Sequence, residues 1–109
     1  MVGLAAGLAL SGKIPFAASF SCFIVNKGFE QLRVVVAYPN VNVKIVGTHS
    51  GISIGEDGPS QMSVEDLSLA CSLPGFNARR LSAFWRGLAR LLLPSRIFFR
   101  CSSEDPARV

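Results

Sequence analysis

A chain of 109 residues, half of them apolar, has material for one modest core and excludes a disordered, fibrous or multidomain protein. Its formal charge of +4 is unevenly carried. Over residues 1–78, Lys13, Lys27, Arg33 and Lys44 face Glu30, Glu56, Asp57, Glu65 and Asp66, a net of −1, whereas seven arginines in 79–109 face Glu104 and Asp105, a net of +5. Those arginines are scattered among Leu, Phe and Trp, which argues against a nucleic-acid partner. Cys22, Cys71 and Cys101 are odd in number and widely spaced, so neither a disulfide framework nor a zinc site with the single histidine is expected, and no metal ligand set is assigned. The longest uncharged apolar run, Met1 to Ser11, is short of the roughly 20 residues that span a bilayer. No basic residue precedes it, unlike in a signal peptide. The expectation is a cytoplasmic chain with no membrane partner.

The elements follow in order. Met1 to Leu10 alternates small and large apolar residues and ends at Ser11-Gly12, which predicts a helix with glycine at its C-terminal side. Its Gly3-x-x-x-Gly7 spacing is expected to let the helix lie flat on a sheet. Ile14 to Ser19 suits a buried strand, with Pro15 near its start. Ser21 to Ala37 has helical spacing, with Phe23, Ile24, Phe29, Leu32 and Val36 on one face and Lys27, Glu30 and Arg33 on another. Val41 to Thr48 alternates and is β-branched, which predicts a second strand. After the turn-rich stretch from His49 to Gln61, Ser63-Val-Glu-Asp66 has the form of a capping box opening a helix to about Ser72. Helix and strand alternating over short links predict an α/β fold with a parallel sheet.

In such a sheet, ligands bind beyond the carboxyl ends of the strands. Phe20 and Phe23 follow the first strand. His49 and a loop holding Glu56 and Asp57 follow the second. Each feature also has a plain structural reading: core phenylalanines, a structural histidine, a solvated Asp-Gly turn. Their convergence at neighbouring strand ends favours a site.

The run Gly47-Thr-His-Ser-Gly-Ile-Ser-Ile-Gly-Glu-Asp-Gly-Pro-Ser-Gln-Met62, with Glu65-Asp66-Leu67 and Ser72-Leu-Pro74 after it, resembles the pyrimidine-binding domain of transketolases. Ala18-Ser-Phe-Ser-Cys-Phe23 and Phe29-Glu-Gln-Leu-Arg33 are similar to another family segment in order and spacing. The resemblance covers residues 1–77. It implies a partial three-layer parallel sheet with flanking helices. It further implies that Phe20 and Phe23 line the pocket for the aminopyrimidine ring of thiamine diphosphate. His49 would act catalytically, hydrogen-bonding a sugar phosphate near its reacting group. Asp57 would accept from a sugar hydroxyl, and Gln61 stands where some members have a second histidine. The family reaction moves a two-carbon ketol unit between sugar phosphates. Its site forms between the pyrimidine module and a diphosphate-binding module of another subunit in a dimer, and Mg²⁺ is held by that partner module.

Two departures stand beside this resemblance. The family's catalytic glutamate precedes a pair that Met1-Val2 resembles, so it is expected upstream of this sequence, and the chain alone is expected to be inactive. After Asn77, the expected strand gives way to Ala78-Arg-Arg-Leu-Ser-Ala-Phe-Trp-Arg and onward, a Lys-free segment, 78–109, outside the resemblance. Two readings remain for it: a frameshifted remnant, or an amphipathic Arg-rich helix over 79–93 that makes the chain an interaction module.

Overall fold

A computed structural model gives the fold of residues 1–52, 54–80 and 97–101. Helix α1 (Val2–Leu10) is followed by strand β1 (Phe16–Phe20) and a long helical stretch. That stretch has a first π-segment (Cys22–Lys27), a short helix α2 (Phe29–Gln31) and a second π-segment (Leu32–Ala37). Strand β2 (Lys44–Thr48), two 3₁₀ turns (Gly55–Asp57 and Pro59–Gln61), helix α3 (Asp66–Ser72) and strands β3 (Phe76–Arg80) and β4 (Ile97–Cys101) complete it.

The sheet is ordered β1-β2-β4-β3. β1 and β2 run parallel, Phe16 opposite Lys44 through Phe20 opposite Thr48, joined by the helical stretch as a parallel crossover requires. The expected parallel sheet is present in this pair; the other two pairings depart from it, β4 running antiparallel to both β2 and β3. The sheet is therefore mixed, because β4 comes between β2 and β3 and opposes both. Antiparallel neighbours need no crossover helix between them. The Ile97-Phe98-Phe99 run, rich in strand formers, is the signal for β4 in a segment for which no strand was expected. Of the expected basic helix over 79–93, Arg79 and Arg80 belong to β3 and residues 81–93 lie outside the described residues.

The core lies between the helices and the sheet. Val25, Leu32 and Val36 from the helical stretch meet Val43 and Ile45, all fully buried, with Ala70 and Leu73 closing one end and Val2, Ala5 and Ala6 the other. Because β2 is central, Lys44, Ile45 and Gly47 are buried on both of its faces, in place of the alternation read from its sequence.

The glycines of α1 differ from expectation. α1 packs through Val2, Ala5 and Ala6, while Gly3 and Gly7 are exposed and a Cβ on either would meet nothing within 4 Å. The small residues that let α1 lie close are thus alanines. Gly28 has the opposite setting. Its N–H donates to the Phe23 carbonyl at 3.0 Å in a widened turn, and an added Cβ would sit 2.5 Å from the Ile24 carbonyl oxygen. A methyl group has no room there. Gly28→Ala is expected to destabilise the fold by about 1–3 kcal/mol through overpacking. Gly7→Ala is expected to stabilise it by roughly 0.5–1 kcal/mol, since alanine is the better helix former at an open position. Urea unfolding of both variants checks the contrast, and a loss on Gly7→Ala would put a close neighbour at that face.

Candidate functional site

The parallel register sets Phe20 beside Thr48 at the carboxyl ends of β1 and β2. Phe23 follows Phe20 in the first turn of the helical stretch, and His49 follows Thr48 as the chain leaves β2. The rings of Phe20 and Phe23 lie 5.9 Å apart between centroids and 8° from parallel, an offset stack. His49 is tilted against Phe20, 4.3 Å between centroids and 43° between planes.

His49 reaches that position through an uncommon backbone conformation, φ +54°, in the left-handed region that non-glycine residues seldom occupy. Its Nδ1 lies 3.0 Å from Thr48 Oγ1, and Thr48 Oγ1 in turn donates to the Ser19 carbonyl at 3.3 Å. The imidazole is thereby tied to both strand ends. Phe23 is 44% exposed, and Phe20 and His49 are half-buried. A phenylalanine pair serving only as core would be sealed; this pair presents an apolar face to solvent.

The loop after His49 closes on itself. Gly51 and Ser63 form an isolated antiparallel bridge, Gly51 N–H to Ser63 C=O at 2.7 Å and the reverse at 3.3 Å. Gly58 (φ +73°) breaks the chain between the two 3₁₀ turns, a backbone conformation glycine accepts without a Cβ penalty. Asp57 is exposed in the first turn. Gln61, in the second, is half-buried, and its Oε1 accepts from the Ser60 hydroxyl. The structure thus brings Phe20, Phe23 and His49 together. Neither Asp57 nor Gln61 hydrogen-bonds to that cluster among the described residues.

Four polar residues, none of them read as part of a site in the sequence, pair in the interior. Ser21 Oγ donates to Asp66 Oδ2 at 2.5 Å, and both residues are buried. Asp66 Oδ1 accepts the Leu67 N–H at 2.8 Å. Ser63 Oγ is 3.2 Å from Asn26 Oδ1. The capping box expected of Ser63 and Asp66 does not form: α3 has Glu65 at its N-cap with no side-chain cap, because both side chains turn inward to the helical stretch. The signal for this was the acidic Asp66 beside apolar Leu67, Leu69 and Ala70, a position where a surface carboxylate has no reason to be. Nearby, burial pushes the Cys22 thiol above its ordinary range, opposed by the backbone hydrogen bonds it receives.

A partly open aromatic pair with an imidazole beside it stands at the carboxyl ends of two parallel strands in an α/β domain. The sequence profile of the transketolase pyrimidine-binding domain matches residues 1–96, and the chain belongs to that family, whose enzymes depend on thiamine diphosphate. Over 74 residues the chain is 53% identical to a putative transketolase C-terminal section from Methanocaldococcus jannaschii, covering 68% of this chain and 23% of that one. Over 75 residues it is 43% identical to transketolase of Homo sapiens, covering 68% of this chain and 12% of that enzyme. A solved split-gene transketolase, an inactive β4 tetramer, matches with a TM-score of 0.56 and 44% identity over 67% of this chain and 22% of that one. The chain therefore spans less than a quarter of the length of these relatives. The family profile continues past Asn77, whereas the alignments to these two relatives span 74 and 75 residues.

Two measurements check this geometry. His49 is the one histidine in the chain, so its Cε1–H proton resonance is unambiguous. It is expected away from the unstructured position because of the Phe20 ring current, and Phe20→Leu is expected to return it. In a Cys101→Ser background, exposed Cys71 is expected to react with a thiol reagent well before buried Cys22. A raised thiol pKa favours the protonated native form, so this contribution to stability is full below the ordinary thiol value of about 8.5 and is lost as pH climbs above it.

Proposed function

We propose that this chain is a pyrimidine-binding transketolase module that supplies the aminopyrimidine face of a thiamine diphosphate site and groups for a sugar phosphate, and that it works with a diphosphate-binding module. The observation that carries this reading is the exposed Phe20–Phe23 stack with His49 beside it at the β1 and β2 ends. The residues fit the group: the stacked pair leaves Phe23 44% exposed, and an aromatic face suits a flat heterocycle while excluding water.

When bound, thiamine diphosphate supplies the carbon nucleophile and electron sink for moving a two-carbon ketol unit between sugar phosphates. In this reading the protein orients and manages protons. Phe20 and Phe23 stack on the pyrimidine. His49, held through Nδ1 by Thr48, turns Nε2 to a sugar oxygen near the reacting carbon. Asp57 accepts from a sugar hydroxyl, and Gln61 offers its amide in the second turn. Asp57 is exposed and lies outside the ring cluster, so its role requires substrate or a partner surface to draw the loop inward.

Support for a partner comes from the relatives. Two that match this chain are described as a transketolase C-terminal section and a split-gene transketolase, names that favour an enzyme divided between chains.

Titration of the chain with thiamine, followed by proton NMR, tests the platform. Phe23→Ala is expected to weaken binding roughly 2- to 12-fold, the equivalent of about 0.5–1.5 kcal/mol for an aromatic stack. The chain alone is expected to give no ketol transfer from xylulose 5-phosphate to ribose 5-phosphate. Adding the separate diphosphate-binding subunit of a split transketolase should tighten thiamine diphosphate binding. Unchanged thiamine affinity in Phe23→Ala would sink the platform; turnover by the chain alone would sink the need for a partner.

A further inference from the structure

We propose that Ser21 and Asp66 are positioning residues whose buried hydrogen bond sets the angle of the Phe20–Phe23 platform against His49. Ser21 is the single joint between the two elements that carry the rings. Phe20 is the last residue of β1, Ser21 is next, and Phe23 lies two residues further in the first π-segment. Rotation at this joint would swing Phe23 relative to Phe20 and open the stack. The side chain of Ser21 is fully buried and donates to Asp66 Oδ2 at 2.5 Å, across 45 residues of sequence.

Asp66 is suited to hold it. It is 2% exposed, and its other oxygen is fixed by the Leu67 N–H at the start of α3. A carboxylate with both oxygens engaged has little freedom, and a charge-assisted hydrogen bond is shorter and stronger than a neutral one. A buried carboxylate is costly to keep unless its bonds are used, so its presence marks a constraint. The second tie runs the same way: Ser63, at the base of the His49 loop, reaches Asn26 in the π-segment of Phe23. Segment 63–66 thus braces the start of the helical stretch at two points, Ser21 and Asn26, and Ser21 falls between the two rings in sequence. Any hydrophobic pair at 21 and 66 would fill the space; a directional bond fixes the rotation.

The inference rests on the stack being the pyrimidine platform, and the test separates the two ideas. Full-length chain and its Ser21→Ala and Asp66→Asn variants are compared by far-ultraviolet circular dichroism, by the His49 Cε1–H shift and by thiamine titration. With circular dichroism unchanged, Ser21→Ala is expected to move the histidine resonance at least halfway to its place in Phe20→Leu and to weaken thiamine binding threefold or more. Asp66→Asn keeps a carbonyl oxygen for one donor and is expected to fall between. A folded Ser21→Ala variant with native shift and native affinity overturns the proposal. Where Ser21→Ala does not fold, Asp66→Asn decides by the same criteria; if neither folds, the pair serves the whole domain and the proposal falls. A parent chain that ignores thiamine while Ser21→Ala still moves the histidine removes the cofactor reading and leaves the positioning role. Binding by the parent with an unmoved histidine in the variant gives the reverse.

Discussion

The parallel pairing of β1 with β2 is the constraint on which the rest depends. Its register sets Phe20 opposite Thr48, and only in that register do an aromatic ring and an imidazole leave adjacent strands at the same height. A slip by one residue would turn each side chain of β1 to the other face and carry Phe20 away from His49. The register is held by burial more than by hydrogen bonds. Ala17 of β1 and Ile45 of β2, which face each other across the pair, are both buried in the core, as is Val43 just before β2. The chemistry at the strand ends is thus specified by apolar residues in the middle of the sheet.

The helical stretch between the two strands is a compromise between packing and aim. Val25, Leu32 and Val36 must face the sheet, and Phe23 must face solvent beside Phe20. An undisturbed α-helix turns about 100° per residue and fixes all of these directions at once. The π-segments change that rotation locally, and such widened turns cluster at functional sites for this reason. Gly28 ends the first of them because no side chain fits against the Ile24 carbonyl. Sequence, turn geometry and the direction of Phe23 form one causal chain here.

Much of this was legible in the residues. The β-branched run before Thr48 gave β2, helical spacing gave the stretch after Ser21, and the placement of aromatic and imidazole groups at neighbouring strand ends was readable as well. What was not legible required partners far away in sequence. Ser63-Val-Glu-Asp66 satisfies the local pattern of a capping box, but tertiary bonds to Asn26 and Ser21 outcompete the local ones. Gly3 and Gly7 fit a close-packing motif, yet which face of a wholly apolar helix turns inward is decided by the neighbouring elements, and Ala5 and Ala6 were equally small. Strand direction behaves likewise: nothing in Phe76 to Arg80 or Ile97 to Cys101 reveals that the latter inserts between β2 and β3. For the site, side-chain type was readable, whereas the left-handed backbone of His49 that aims its ring was not.

An aromatic platform 44% exposed at Phe23 is a cost to a chain this small, because apolar area left in water contributes nothing to folding. Phe20 stacks with Phe23 and meets His49, while Phe23 keeps much of its surface in solvent among the described residues. A ring bound there would be desolvated on one face only, which gives orientation but limited affinity, since small-molecule sites normally enclose most of the ligand surface. The missing wall must come from elsewhere if the site is to bind tightly. On the proposed reading the site is divided between two modules, and assembly becomes a condition for exclusion of water, so that the reacting centre is dry only when both halves are present. The open face of Phe23 is, on that reading, one side of a shared pocket.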